Sequence, residues 1–425
     1  MFTNRTDKLL FQMYRLLWWP AVPLLKSNQR LRQGFDQRTL SRHFLRPADV
    51  WIQAASVGEA YLSKSLLKRF CPPTPVNVLI TTNTDQGLHV LNTVADGTGN
   101  HMTTVSATYF PFDRPRFMEQ ALDVINPKLM ILLETELWPG LLHALKNRGV
   151  PSIIINGRLT EKSARHYNYR PDFWRAIRPR KVMAVSVADE KRFGVLFGTD
   201  IVTRMPNIKL DLAIEACGNS VTDAGIGDVR ERNRPLIVLG SIRKAEETDI
   251  GNIISRLASV SPDALIALFP RHIHRLKHWK ATLDHKGISW VLRSGTTGTT
   301  PSARVILWDT FGELTAAYAD CDAAFVGGSL APLGGQNFME PLIQGIKPVI
   351  GPHWDNFLWI GEDVFHSGLV RRVPDWKSVA DQLLEDATNG YDKTDVRRRA
   401  LDYIRKRSGG SDMACLAILE QLGYS

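Results

Sequence analysis

The chain has little cysteine. Cys71, Cys217, Cys321 and Cys415 lie far apart and form no CxxC pair. A disulfide framework is therefore excluded, and reduced thiols in a cytoplasmic protein are expected. The chain also lacks an unbroken apolar run of the ~20 residues that a membrane-spanning helix needs. The best candidate, Leu9 to Leu25, carries Arg15 and is predicted to break at Pro20 and Pro23. No small-residue cleavage site follows it, so it does not read as a signal peptide. Low-complexity tracts and internal repeats are missing too, which argues against a solenoid.

What is present is the material of a globular protein. Over 425 residues, 44% are hydrophobic and 23% charged, enough for two or three domains with buried cores. The formal net charge of +10 is unevenly placed. Residues 1–46 hold Arg5, Lys8, Arg15, Lys26, Arg30, Arg32, Arg38, Arg42 and Arg46 against Asp7 and Asp36. Such a segment attracts phosphates, on nucleic acid or on anionic lipid. Trp18 and Trp19 beside these cations suit a lipid headgroup layer, so residues 1–46 are expected to associate with a membrane surface. The alternative is a helix packed on the protein's own body.

Short apolar runs then alternate with helical patterns. Val50–Ala55, Val76–Thr81, Leu129–Leu133, Ser152–Ile155 and Met183–Val187 read as buried strands of a parallel sheet, giving an α/β domain over 47–210. Residues 218–234, rich in Gly, Asp, Asn and Arg, read as a linker. The alternation restarts with Leu236–Leu239, Ala264–Leu268, Val305–Trp308, Ala323–Val326 and Pro348–Ile350, and ends in helices from 376 onward. A second domain of the same class is expected over 235–425. Two doubly wound domains imply a central cleft, and their helix N-termini favour a phosphorylated ligand.

Candidate chemistry sits at the strand ends. Ser56-Val57-Gly58-Glu59 places a carboxylate in a first helical turn, as a general base or as a dipole-complementing residue. Glu134-Thr135-Glu136-Leu137-Trp138-Pro139 sets two more at a strand end, with Pro139 suited to open a helix. Arg271, in Phe269-Pro270-Arg271-His272, suits a phosphate. His272, His274 and His278, interleaved with Arg271 and Arg275, read as a solvated basic helix start rather than a metal site. Asp320-Cys321-Asp322 precedes its strand and reads as structural. In Val326-Gly327-Gly328-Ser329 through Gly334-Gly335-Gln336-Asn337-Phe338-Met339-Glu340, glycines permit close approach of a phosphate or ribose, and Glu340 suits sugar hydroxyls. This loop is neither a Walker A motif nor GxGxxG.

Taken in order with Gly157-Arg158-Leu159, Asp309-Thr310-Phe311-Gly312-Glu313-Leu314 and Gly351-Pro352-His353, these segments resemble the Kdo (3-deoxy-D-manno-octulosonic acid) transferases. Those are inverting enzymes of the two-domain GT-B fold, metal-independent and without cofactor. The resemblance implies Glu59 as general base, and Glu134 and Lys209 as transition-state stabilisers. It implies contacts to CMP from Pro270, Arg271, Phe311, Gly312, Glu313, Asn337, Phe338, Met339 and Glu340. It further implies a CMP-Kdo donor, a phosphorylated lipid A precursor as acceptor, an anionic membrane surface rather than nucleic acid as partner, and the cytoplasmic face of the bacterial inner membrane. Five positions depart from the family pattern: Gln336 stands where His is usual, the usual S-T-H before paired glutamates reads Ser241-Ile242-Arg243 ahead of Glu246 and Glu247, Gln53 replaces a His, and Phe311 a Met. Two other readings are a transferase for a different CMP-activated acidic sugar, and a non-catalytic basic protein binding nucleic acid or anionic membrane. The ordered carboxylates Glu59, Glu134 and Glu313 argue against the latter.

Overall fold

A computed structural model describes residues 4–41, 44–97, 102–218, 234–296 and 303–424. The chain forms two compact units, Met1–Leu212 with Arg407–Ser425, and Ala213–Lys406. Each is built on a seven-stranded parallel sheet.

In the first unit the strands are β1 (Val50–Gln53), β2 (Val76–Thr82), β3 (Thr103–Tyr109), β4 (Leu129–Leu133), β5 (Ser152–Gly157), β6 (Lys181–Ala184) and β7 (Val202–Arg204). Their spatial order is β3-β2-β1-β4-β5-β6-β7. Every residue of β1, β4 and β5 is buried, because helices cover both faces of a central parallel strand. The order reverses between β1 and β4, and ligands of such sheets bind outside the strand C-termini at that point. The expected strand over Met183–Val187 ends at Ala184, and Ser186 already caps the Val187–Phe197 helix.

The second unit repeats the plan with β8 (Leu236–Ile242), β9 (Leu265–Pro270), β10 (Trp290–Leu292), β11 (Val305–Leu307), β12 (Ala323–Val326), β13 (Pro348–Ile350) and β14 (Arg371–Arg372). The order β10-β11-β9-β8-β12-β13-β14 puts its reversal between β8 and β12. Asp322 is structural, as expected: its carboxylate accepts from the Leu236 amide at 2.9 Å and pairs with Lys393. Among the described residues Cys71, Cys321 and Cys415 form no disulfide. The expected linker lies almost wholly outside the described residues.

Three expectations need correction. The last helix, Gly410–Gln421, belongs to the first unit and not to a domain over 235–425. Asp211 holds it there, its carboxylate accepting from the amides of Gly409 at 2.8 Å and Ser411 at 2.6 Å. The Arg5–Leu25 helix runs straight through Pro20 and Pro23. Each proline lacks the amide that would donate to the carbonyl four residues back, at Leu16 and Trp19, both exposed residues. Finally, Arg38 is no surface charge. It is buried, donating to the carbonyl of Asn83 at 2.8 Å and lying over the Tyr109 ring at 4.5 Å.

The Arg5–Leu25 helix is two-sided. Asp7, Phe11, Tyr14 and Trp18 face the first unit; Phe11 stacks on His143 at 4.0 Å, and Tyr14 donates to Asp113 at 2.7 Å. Leu9, Leu10, Met13, Leu16, Leu17, Trp19 and Leu24 are exposed, flanked by Lys8, Arg15 and Lys26. Asp113 is the anchor: fully buried, it also accepts from the Gly140 and Leu141 amides at 2.7 Å, capping the Pro139–Arg148 helix. Asp113→Ala strands these donors and is expected to lower the melting temperature by roughly 5–10 °C. Asp113→Asn should keep more than half of that; no shift for Asp113→Ala contradicts the anchoring role.

Candidate active site

The first unit gathers three glutamates at its reversal point. Ser56 caps the Val57–Arg69 helix, its side chain accepting from the Glu59 amide at 3.3 Å. The Glu59 carboxylate turns back, accepting from the Ala55 amide at 2.7 Å and the Ser56 hydroxyl at 2.9 Å. This resembles a capping box, with the carboxylate bonded to the amide before the cap residue and not to that of Ser56, so the ordinary first-turn role holds as well. The cap does not neutralise the group. Only 7% of Glu59 is exposed, and burial, followed by the charges of Glu136 and Glu134, pushes its carboxyl up to about 8.

Glu134 leaves β4 in the left-handed region, at φ 56°, a backbone that a non-glycine residue adopts at a cost of ~1–3 kcal/mol. That twist brings its carboxylate to 2.7 Å from the Lys209 ammonium, with Arg158 at 3.9 Å. Lys209 is placed by a second strained residue, Asn156 at φ 57°, whose side chain accepts from the Ile208 amide at 2.9 Å and so hangs the Ile208–Gly218 helix from β5. Glu136 accepts from the Trp138 indole at 2.6 Å, and burial, with the Glu134 charge adding to it, lifts its carboxyl to about 7. Gln53, at the end of β1, donates to Asn83 at 3.4 Å and accepts from the Thr81 hydroxyl at 2.6 Å. The expected trio Glu59, Glu134 and Lys209 is therefore one cluster. Glu136 and Asn156 belong to it too; Glu136 was half of the glutamate pair read from the sequence, whereas no motif singled out Asn156.

In the second unit the candidate residues line the C-terminal edge of adjacent strands. Phe311, Gly312 and Glu313 follow β11; Pro270 and Arg271 end and follow β9; the glycine loop follows β12. Phe311 is 84% exposed, beside Gly312 at φ 88°. Burial alone would raise the Glu313 carboxyl, but hydrogen bonds from Thr310, Trp308 and Arg293 hold it below its ordinary value. The glycine loop folds on itself, the Gln336 amide donating to the Gly327 carbonyl at 2.9 Å and the Gly335 amide to that of Gly328 at 2.7 Å. A β-carbon on Gly327 would lie 2.6 Å from the Ser241 carbonyl, so only glycine fits there. Asn337 donates to Glu340 at 2.9 Å. Burial raises the Glu340 carboxyl, against the Asn337 bond and the Arg271 charge. Phe338 and Met339 are buried, so these positions offer a ligand their backbone. His272 and His274 stack on each other, His278 pairs with Glu247, and among the described residues no His, Cys, Asp and Glu cluster is gathered as for a metal.

Glu246 stands out in the sequence only as one of the paired glutamates that follow Ser241-Ile242-Arg243. It is 1% exposed, and neither carboxyl oxygen makes a well-aligned hydrogen bond to a described residue. Burial pushes it up to about 8; the nearby backbone of Gly328 and Arg243 and the Arg243 charge only temper that rise.

Two Rossmann-like units of this topology define the GT-B glycosyltransferase fold. A UDP-GlcNAc 2-epimerase from Neisseria meningitidis, solved with UDP-GlcNAc, matches with a TM-score of 0.55 at 12% identity, over 88% of this chain and 99% of that one, which bears on the fold alone. The family model for 3-deoxy-D-manno-octulosonic-acid transferase (kdotransferase) matches residues 27–212. A 3-deoxy-D-manno-octulosonic acid transferase of Bordetella pertussis is 32% identical over 80% of this chain and 79% of its own length. One of Haemophilus influenzae is 31% identical over 73% and 72%. The chain belongs to the Kdo transferase family and is a glycosyltransferase.

Proposed function

We propose that this enzyme transfers Kdo from CMP-Kdo to a hydroxyl of a phosphorylated lipid A precursor, with inversion and with Glu59 as general base. The observation that carries this reading is the desolvated Glu59 carboxyl at the reversal point of the first sheet, titrating near neutrality as an efficient base requires. In this reading Glu59 takes the proton of the attacking hydroxyl, and the bond from the sugar's anomeric carbon to the phosphate oxygen breaks as CMP departs. Lys209 fixes Glu134, whose carboxylate supports the positive charge that develops on the sugar. The second unit serves the donor. Arg271 meets the phosphate, exposed Phe311 offers a face to the cytosine ring, and ionised Glu313 accepts from the nucleoside.

The acceptor is an anionic lipid, and the Arg5–Leu25 helix suits its surroundings. Its exposed apolar face between cations fits the headgroup layer at the cytoplasmic face of the inner membrane. No helix among the described residues is long and apolar enough to cross a membrane.

Glu59→Gln is expected to lower kcat by ~10²–10⁴-fold while CMP affinity stays within about twofold. A base acts only when ionised, so the raised Glu59 carboxyl places the ascending limb of the wild-type pH–rate profile near pH 8, with loss of activity below it. A limb near pH 4.5, or unchanged turnover in the variant, removes Glu59 from the role. Leu16 and Leu17 are 63% and 64% exposed, and replacing both with Glu should weaken sedimentation with phosphatidylglycerol vesicles by at least about tenfold. Equal binding by the variant refutes the surface role of that face.

A further inference from the structure

The second unit carries two unneutralised guanidiniums side by side. β8 and β9 are parallel neighbours, with Ile242 level with Pro270, and the Arg271 amide donates to the Ile242 carbonyl at 2.8 Å. Arg243 and Arg271 therefore leave the same sheet edge one residue beyond a paired position, from strands about 4.8 Å apart. Arg271 is exposed and Arg243 half-buried, and neither makes a side-chain hydrogen bond or ion pair with a described residue.

The acids nearby do not cancel them. Glu247 is taken by Arg275 at 2.8 Å and His278 at 3.2 Å. Glu246 lies buried under Gly327, where burial favours its protonated form at pH 7. His272 adds no positive charge at that pH, since burial and then the charges of Arg243, His274 and Arg271 depress its imidazole. Two permanent cations that no described residue ion-pairs, Arg243 at the reversal point of the sheet and Arg271 one strand away, await two anions.

Resting on the transferase reading above, we propose that Arg243 receives the carboxylate of the donor sugar while Arg271 takes its phosphate. The chemistry of a CMP-linked 2-keto-acid sugar fits this pair. Its carboxylate is attached to the same carbon that bears the phosphate oxygen, so the two anions are neighbours, as the two guanidiniums are. A planar guanidinium also matches a carboxylate with two parallel hydrogen bonds. The division follows from position. Arg271 follows β9, next to the β11 end that carries Phe311 to Glu313, and its charge acts on Glu340 in the nucleotide turn, whereas Arg243 follows β8 and its charge acts on Glu246. Arg243 is thus a specificity residue for an acidic donor.

The test titrates wild-type protein, Arg243→Gln and Arg243→Lys with CMP-Kdo and separately with CMP, without acceptor, following tryptophan fluorescence. Arg243→Gln is expected to weaken CMP-Kdo binding roughly 10–100-fold and CMP binding less than about threefold. Arg243→Lys should recover part of the loss, and decides the matter should the Gln variant not fold. Unchanged CMP-Kdo affinity, or an equal loss for CMP, overturns the assignment. A parallel assay of wild-type transfer to a lipid A precursor separates the two readings. Absent transfer with donor binding intact refutes the proposed reaction, not the carboxylate contact.

Discussion

Burial of the Glu59 carboxyl at the turn between β1 and its helix is the constraint on which the rest of the first unit depends. A carboxylate removed from water beside two others resists ionisation, and the surrounding structure holds it there regardless. The Ser56 and Ala55 bonds fix its position without discharging it. Lys209 engages Glu134 and so keeps the cluster from being uniformly anionic. That lysine rides on a helix tied at Asn156 and, through Asp211, to the returning C-terminal helix. Two left-handed non-glycine residues, Glu134 and Asn156, are part of what this geometry costs.

The two units share one topology and carry different ionisable groups at corresponding places. At the reversal point of the first sheet the side chains are Glu59, Glu134 and Glu136; at that of the second, Arg243, with Arg271 one strand away. A carboxylate cluster and a pair of guanidiniums are thus carried on the same βαβ plan by changing the residues just past each strand. Fold and chemistry are independent here: neighbours with the same architecture act on other sugar nucleotides.

The sequence was most legible where strands are buried on both faces. β1, β4, β5, β8, β9 and β12 are near-continuous apolar runs, and each was readable. The four strands that escaped notice, β3, β7, β10 and β14, are the four sheet edges, where half-solvated positions break the apolar run and two of the strands, β7 and β10, are only three residues long. Local rules also misjudged what tertiary packing decides. Pro20 and Pro23 sit inside a continuous helix, four residues after exposed Leu16 and Trp19, and Arg38 is buried among backbone carbonyls and aromatic rings. Gly410–Gln421 belongs to the first unit through a bond spanning nearly two hundred residues, which no local pattern announces. Of the candidate site, the strand-end motifs were legible. The burial of Glu246 was not, although the glutamate pair was, because only the fold decides whether a helix-start glutamate is solvated or sealed beneath a glycine loop.

The most direct measurement is the titration of the Glu59 carboxyl itself, by carbon-13 NMR of labelled glutamate assigned through a Glu59 variant. The account requires a midpoint near 8 that falls when Glu136 is replaced by Gln, since a like charge is then removed. A midpoint at the ordinary 4.5, indifferent to Glu136, would show a solvated carboxylate and contradict it.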